Sequence, residues 1–244
     1  MSFESIETVG APYLLSHKEV DVWLVPLDPP VETMQVLIPL LSLDERERAS
    51  RFKFDKDRRR FVVARAALRT LLGRYLHVHG SEIKFLYGSK GKPYLGGAQN
   101  AKPRFNVSHS GEFALIAFTD DEPVGVDIEL IHEMDDAESV VRRFFSPVEV
   151  EQWMGLPARL RSRAFFDCWT RKEAYVKAVG DGLSMPLDRF AVAFRPGDSP
   201  TIAFLDANPD RQWSLFDLTP APGYAGALAI RGSGWSLHCR MNAE

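Results

Sequence analysis

Three short runs in this chain hold side chains whose chemistry depends on their spacing. The first is Gly125-Val126-Asp127-Ile128-Glu129. In a strand, residues two apart share a face and lie about 6.6–6.8 Å apart along the chain. Val126 and Ile128 then turn to a core, while Asp127 and Glu129 project together from the other side. Carboxylates that close repel unless a proton or a cation lies between them. A hard cation such as Mg²⁺, which takes oxygen ligands and keeps phosphate and water in its shell, meets that need. A bare D-x-E pair is more often the wet face of an amphipathic strand, so this run does not decide alone.

The second run is Trp169-Thr170-Arg171-Lys172-Glu173-Ala174-Tyr175-Val176-Lys177. On a helix Glu173 and Lys177 are i and i+4 and stack on one face. They are either a surface ion pair or a third metal carboxylate followed, one turn on, by a cation for a phosphate oxygen. The third run, Phe105-Asn106-Val107-Ser108-His109-Ser110-Gly111, ends in small polar residues before an apolar stretch. Ser108, Ser110 and backbone N–H groups near Gly111 can donate to phosphate, and so can His109 as an imidazolium or a neutral N–H donor. Gly91-Lys92-Pro93 adds a rigid turn with one more ammonium group.

These runs need elements to position them. Val20 to Val25 alternates as a strand. Ser42-Leu43-Asp44-Glu45 matches a capping box that starts a helix. A longer helix is expected from about Asp57 to Leu76, with Phe61, Ala64, Leu68, Leu71, Leu72 and Tyr75 recurring at three- and four-residue steps. The stretch from Gly88 to Pro103, rich in glycine, reads as loop. Strands follow at Phe113 to Phe118 and Val124 to Glu129. A second long helix buries Phe165, Cys168, Trp169, Val176 and Val179 and ends at Gly180 or Gly182. Further strands are expected at Phe190 to Phe194, Thr201 to Leu205, Trp213 to Leu218, Ala225 to Ile230 and Trp235 to Cys239. The fold class expected is α+β: a pseudo-twofold pair of similar subdomains, each a small, mostly antiparallel sheet packed on a long helix. The turn Asp120-Asp121-Glu122-Pro123 divides them into residues 1–122 and 123–244.

Composition narrows the function classes. The 244 residues are 45% hydrophobic and 26% charged, which excludes disorder and fibrous repeats. A net charge of −3 leaves no overall basic footprint for nucleic acid. Charge is nevertheless segregated: Arg46 to Arg60 holds eight basic residues against three acids, and Glu112 to Glu138 holds ten acids and no Lys or Arg. A phosphate-rich ligand plus a divalent cation would use both blocks; two solvated faces would also account for them. Cys168 and Cys239 cannot form a disulfide framework and read as reduced thiols. No apolar run approaches a membrane span, and MSFESIETVG lacks the plan of a signal peptide, so a cytoplasmic protein is expected.

Taken together, GKP, FNVSHS, GVDIE and WTRKEAYVKAVGDGLSMPLDRF, in this order and spacing, resemble the motifs of the 4′-phosphopantetheinyl transferases. The two-half length is similar to the surfactin-synthetase-activating type, and the resemblance runs from about Ser42 to Phe190. It implies Mg²⁺-dependent transfer of phosphopantetheine from coenzyme A to a serine of an apo acyl or peptidyl carrier protein, releasing adenosine 3′,5′-bisphosphate. By matching position, Asp127, Glu129 and Glu173 become the metal ligands, with Mn²⁺ a possible substitute ion. Lys177 becomes a catalytic pyrophosphate contact. His109, Ser108, Lys92, Pro93, Arg48 and Arg60 become coenzyme A contacts, and His109 counts with Lys177 among the catalytic residues. Glu149, in Arg143-Phe144-Phe145-Ser146-Pro147-Val148-Glu149, becomes the general base. One departure is Glu45, where some members carry Lys for the 3′-phosphate; Arg46 beside it could substitute. The implied protein is a monomer without nucleic-acid or membrane partners. A non-catalytic module of the same fold that binds carrier protein or coenzyme A, and a generic Mg²⁺ phosphatase, are the competing readings.

Overall fold

The computed structural model describes residues 3–5, 13–88, 91–96, 102–180, 185–204 and 212–242. Chain order begins with β1 (Glu4–Ser5), β2 (Glu19–Pro26), α1 (Met34–Leu37), α2 (Leu43–Ser50) and α3 (Asp55–Leu76). Next come β3 (Phe85–Tyr87), β4 (Pro93–Leu95), β5 (Arg104–Ser110) and β6 (Phe113–Thr119). The second half holds β7 (Val124–Leu130), α4 (Ala137–Phe144), α5 (Pro147–Met154) and α6 (Ala158–Val179). It closes with β8 (Phe190–Val192), β9 (Ile202–Phe204), β10 (Trp213–Leu218), β11 (Tyr224–Arg231) and β12 (Ser236–Met241).

Local signals set most of these bounds. Ser42 and Glu45 form the expected reciprocal capping box at the start of α2. Helix α3 begins at Asp55, slightly before the expected start, and places Asp55 and Asp57 in its first turn, where acids favour the helix dipole. Helix α6 ends at Gly180 with φ +87°, the left-handed conformation that a C-terminal glycine adopts most readily. Gly182 and Leu205 lie outside the described residues.

The two halves share one plan. Strand β2, a 22-residue helix (α3) and the hairpin β5–β6 form a sheet in the order β2-β6-β5. Strand β7, a 22-residue helix (α6) and the hairpin β10–β11 repeat it in the order β7-β11-β10, again antiparallel. That repeated order is the pseudo-twofold. Strand β12 departs from it by lying parallel to β2 in the first sheet, with β1 outside it.

Alternation along the strands builds three cores. Trp23, Ile116 and Phe118 pack with Leu68 and Leu71 of α3. Ala225, Ala227 and Ala229 pack with Ala174 and Ala178 of α6. Between the sheets, Val20, Val22 and Leu115 meet Val124, Val126, Ile128 and Leu228. The layers therefore run helix, sheet, sheet, helix, and β7 lies where both halves meet.

Candidate active site

Strand β7 is buried on both faces. Val126 and Ile128 enter the core between the sheets, so Gly125, Asp127 and Glu129 must face α6. Gly125 permits this. A Cβ there would overlap the carbonyl oxygen of Ala174 and the amide nitrogen of Ala178 and stand 3.0 Å from the carbonyl carbon of Lys177. The absent side chain lets the backbones of strand and helix approach until Glu173 and Lys177 lie beside the strand carboxylates. The D-x-E face is a contact with a helix, not a wet surface.

Asp127 is 2% exposed. Its Oδ1 accepts from Lys177 Nζ at 2.6 Å and from Ser108 Oγ at 2.7 Å. Its Oδ2 is buried without a hydrogen-bond partner, as is Oε1 of Glu173. Glu129 Oε2 accepts from Ser110 Oγ at 2.8 Å. Burial, and then the charge of Asp127, push the carboxyl pKa values of Glu129 and Glu173 up. The site thus concentrates negative charge that Lys177 compensates only in part.

Among the described residues no three His, Cys, Asp or Glu side chains form a ready-made metal cage, and the ammonium of Lys177 is the cation on Asp127. The donors still suit a hard divalent ion: they are all carboxylates, two of their oxygens are buried and unpartnered, and their mutual repulsion calls for more positive charge.

A cleft of about 250 Å³ opens beside this cluster, lined by Lys92, Pro93, Phe105, Asn106, Lys177 and Gly180. A second hollow of about 230 Å³ shares Lys92, Pro93, Phe105 and Gly180 and extends to Arg104 and Val124. Lys92 Nζ donates to the backbone carbonyl of Lys177 at 2.6 Å, which anchors this second ammonium group at the end of α6. Burial and the charge of Lys177 lower the pKa of Lys92.

The FNVSHS run folds as part of strand β5. Its alternate side chains bind the free edge of β7: Asn106 Oδ1 accepts from the Val126 amide at 2.9 Å, and Ser110 Oγ accepts from the Leu130 amide at 3.0 Å. The amide of Glu112, after Gly111, donates to Tyr224 Oη at 2.9 Å. Ser108, Ser110 and this amide are therefore committed within the protein. His109 points to the opposite face and is exposed; crowding by protein atoms, then Lys177 and Arg48, lower its pKa. A neutral ring that donates through N–H is the form this favours.

Two other expected residues are placed away from the carboxylates. Arg60 pairs with Asp28 through Nε at 3.0 Å and Nη2 at 2.5 Å. Glu149 is 1% exposed and closes the capping box of α5. Its Oε2 accepts from the Ser146 amide at 2.7 Å, Ser146 Oγ at 2.8 Å and Lys172 Nζ at 2.8 Å, and its Oε1 accepts from the Val192 amide at 2.7 Å. Both oxygens thus accept from the protein's own groups, and Cys168 Sγ lies 3.6 Å from Oε1. Arg48 is exposed and lies over the Phe61 ring. Sequence reasoning gave no role to Asn106 or Gly125; a glycine inside a strand and a polar alternation leading into a hairpin were the available signals.

Residues 123–229 match the family model described as 4′-phosphopantetheinyl transferase superfamily, and residues 27–120 match 4′-phosphopantetheinyl transferase, N-terminal. The chain is 40% identical to 4′-phosphopantetheinyl transferase HetI of Nostoc sp. over 91% of both chains. The chain belongs to the 4′-phosphopantetheinyl transferase superfamily. The transferase is also 32% identical to psf-1 of Bacillus pumilus over 90% of this chain and 92% of that one. It is 28% identical to Sfp of Bacillus subtilis over 81% and 85%. These relatives carry the same activity in their names, and the chain is a phosphopantetheinyl transferase of this two-half type. Among its described residues no helix is long and apolar enough to cross a membrane.

Proposed function

We propose that the transferase moves 4′-phosphopantetheine from coenzyme A to the serine hydroxyl of an apo acyl or peptidyl carrier protein. The pyrophosphate P–O bond breaks, a P–O bond to serine forms, and adenosine 3′,5′-bisphosphate leaves. The observation that carries this reading is the pair of buried, unpartnered carboxylate oxygens of Asp127 and Glu173 beside a cleft bearing Lys92 and Lys177. Asp127, Glu129 and Glu173 would hold Mg²⁺, or Mn²⁺ in its place. When bound, the ion supplies charge stabilisation to the departing bisphosphate.

The protein's own groups do the rest. Lys177 and Lys92 donate to pyrophosphate oxygens, and their charge matters most as the leaving group becomes more negative. His109 and Arg48 contact coenzyme A from the face of β5 opposite Ser108. Ser108, whose hydroxyl donates to Asp127 and accepts from Lys177 at 2.9 Å, holds both groups in register. The serine proton passes to a carboxylate or water of the cleft, because Glu149 is enclosed elsewhere. Residues 1–122 supply the basic contacts and residues 123–244 the carboxylates, within a cytoplasmic monomer.

Incubation with coenzyme A, Mg²⁺ and several apo carrier domains should add the phosphopantetheine mass to the carriers, and Asp127→Asn should abolish the addition. No added mass on any carrier would overturn the reading. Retained coenzyme A affinity without transfer would favour a binding module, and coenzyme A hydrolysis without an acceptor a phosphatase.

A further inference from the structure

Helix α6 lays one stripe of residues along β7 and the segment that follows it: Lys177, Glu173, Thr170, Phe166 and Ser162 recur at steps of three and four. The contacts run in opposite directions along the two elements. Gly125 lies against Ala174 and Ala178, and Asp127 accepts from Lys177 at 2.6 Å. Farther along, the His132 ring stands 5.0 Å from that of Phe166, and Glu133 Oε2 accepts from Ser162 Oγ at 3.1 Å. The carboxylates of Asp127, Glu129 and Glu173 therefore occupy the middle of this seam, with the cleft of Lys92 and Lys177 at one end and His132 at the other.

His132 is arranged to take a proton. Its Nδ1 lies 3.0 Å from the carbonyl oxygen of Leu130, which can only accept. Nδ1 therefore carries the hydrogen, and the neutral ring keeps its lone pair on Nε2, which has no partner among the described residues. The residue is exposed, so a macromolecular substrate can reach it, yet it is held on both sides. Before it, the Ile131 amide donates to the Gly223 carbonyl at 2.8 Å; after it, Glu133 holds Ser162. Imidazole is the side chain that most often serves as a general base, and Glu149 is enclosed elsewhere.

In-line phosphoryl transfer puts the attacking and leaving oxygens on opposite sides of phosphorus. A leaving group drawn into the cleft by Lys92 and Lys177 requires the serine to enter from the far end of the seam, where His132 stands. Phe166 precedes Glu173 by two helical turns, about 10 Å along the axis, and the Glu173 side chain leans back toward it. A phosphoryl group, a serine hydroxyl and one water fill that span.

We propose that His132 Nε2 is the final acceptor of the carrier serine's proton, delivered by one water. This rests on the transferase reading above. As the bond from serine Oγ to phosphorus forms, the hydroxyl proton moves through the water to Nε2. The pyrophosphate P–O bond breaks, and its electron pair leaves with adenosine 3′,5′-bisphosphate. The imidazolium then returns the proton to solvent.

The test is single-turnover transfer at saturating coenzyme A, Mg²⁺ and apo carrier domain. His132→Asn keeps an amide donor for the Leu130 carbonyl and removes the base. Transfer should slow about 100-fold or more, with the melting temperature and the half-saturating carrier concentration of wild type. Added imidazole should restore part of the rate to His132→Asn and none to Asp127→Asn. A rate near wild type, a loss seen only as weaker carrier binding, or slow transfer that imidazole does not relieve would overturn the assignment. Should His132→Asn melt below wild type, His132→Gln carries the same comparison. A wild type that adds no phosphopantetheine to any carrier would instead refute the transferase reading.

Discussion

Gly125→Ala offers the sharpest perturbation of the site, because it adds one methyl group and no charge. The new carbon overlaps backbone atoms at Ala174 and Ala178, neither of which can rotate away. Helix α6 must therefore retreat from β7 by roughly 1 Å or more, and misplacement on that scale costs on the order of 100-fold in rate. Residues 174 and 178 are sequence neighbours of Glu173 and Lys177, so the retreat pulls the Lys177 ammonium from its 2.6 Å contact with Asp127. Overpacking of this kind also costs about 1–3 kcal/mol. In a chain of this length that lowers the melting temperature by roughly 2–12 °C. Phosphopantetheine transfer followed by mass spectrometry and melting followed by circular dichroism read the two effects. Gly155→Ala is the control: φ there is −73° and a Cβ would meet nothing nearer than 3.5 Å, so both readouts should match wild type. Wild-type transfer with unchanged melting in Gly125→Ala would refute the close approach of strand and helix.

Two further outcomes separate structural from chemical roles. Glu149→Gln leaves the fully buried ammonium of Lys172 without its counter-charge, a loss of about 3–5 kcal/mol, so melting should fall on the order of 10 °C while transfer per folded molecule persists; unchanged melting with lost transfer would restore Glu149 as the base. Glu173→Gln should, in chelator, melt above wild type at alkaline pH. The raised pKa of Glu173 makes the native state hold more protons than the unfolded chain, so wild type loses stability as pH rises through that pKa, and the gap should close on acidification below the unfolded carboxyl value. Added Mg²⁺ should raise the melting temperature of wild type more than that of the variant; equal rises would remove Glu173 from the metal set.

Much of the site was legible in single residues. Period-two alternation in GVDIE put Asp127 and Glu129 on one face, and helical spacing put Glu173 above Lys177. Ser42 and Gly180 marked helix ends through chemistry that acts within a few residues. What was not legible depended on distant partners. Asn106, Ser108 and Ser110 look like a polar strand face or a phosphate loop until β7, some twenty residues on, presents its open edge. Ser146-Pro147-Val148-Glu149 carries a helix-start signature, yet its glutamate reads as chemistry unless Lys172 and Val192 are known to enclose it. Helices α4 and α5 are eight residues each, too short for periodicity to stand out. The position of β12 beside β2 has no local signal at all.

That position has a consequence for how the molecule is made. The edge of β2 that β12 covers waits for a partner more than 200 positions later in the chain, since Glu19 pairs with Ser236. During synthesis the first part of the chain emerges from the ribosome with a long apolar strand unpaired on one side, the kind of surface that recruits other strands. Deleting the last strand should therefore yield inclusion bodies instead of a trimmed soluble enzyme, and co-expressing the missing piece need not rescue them.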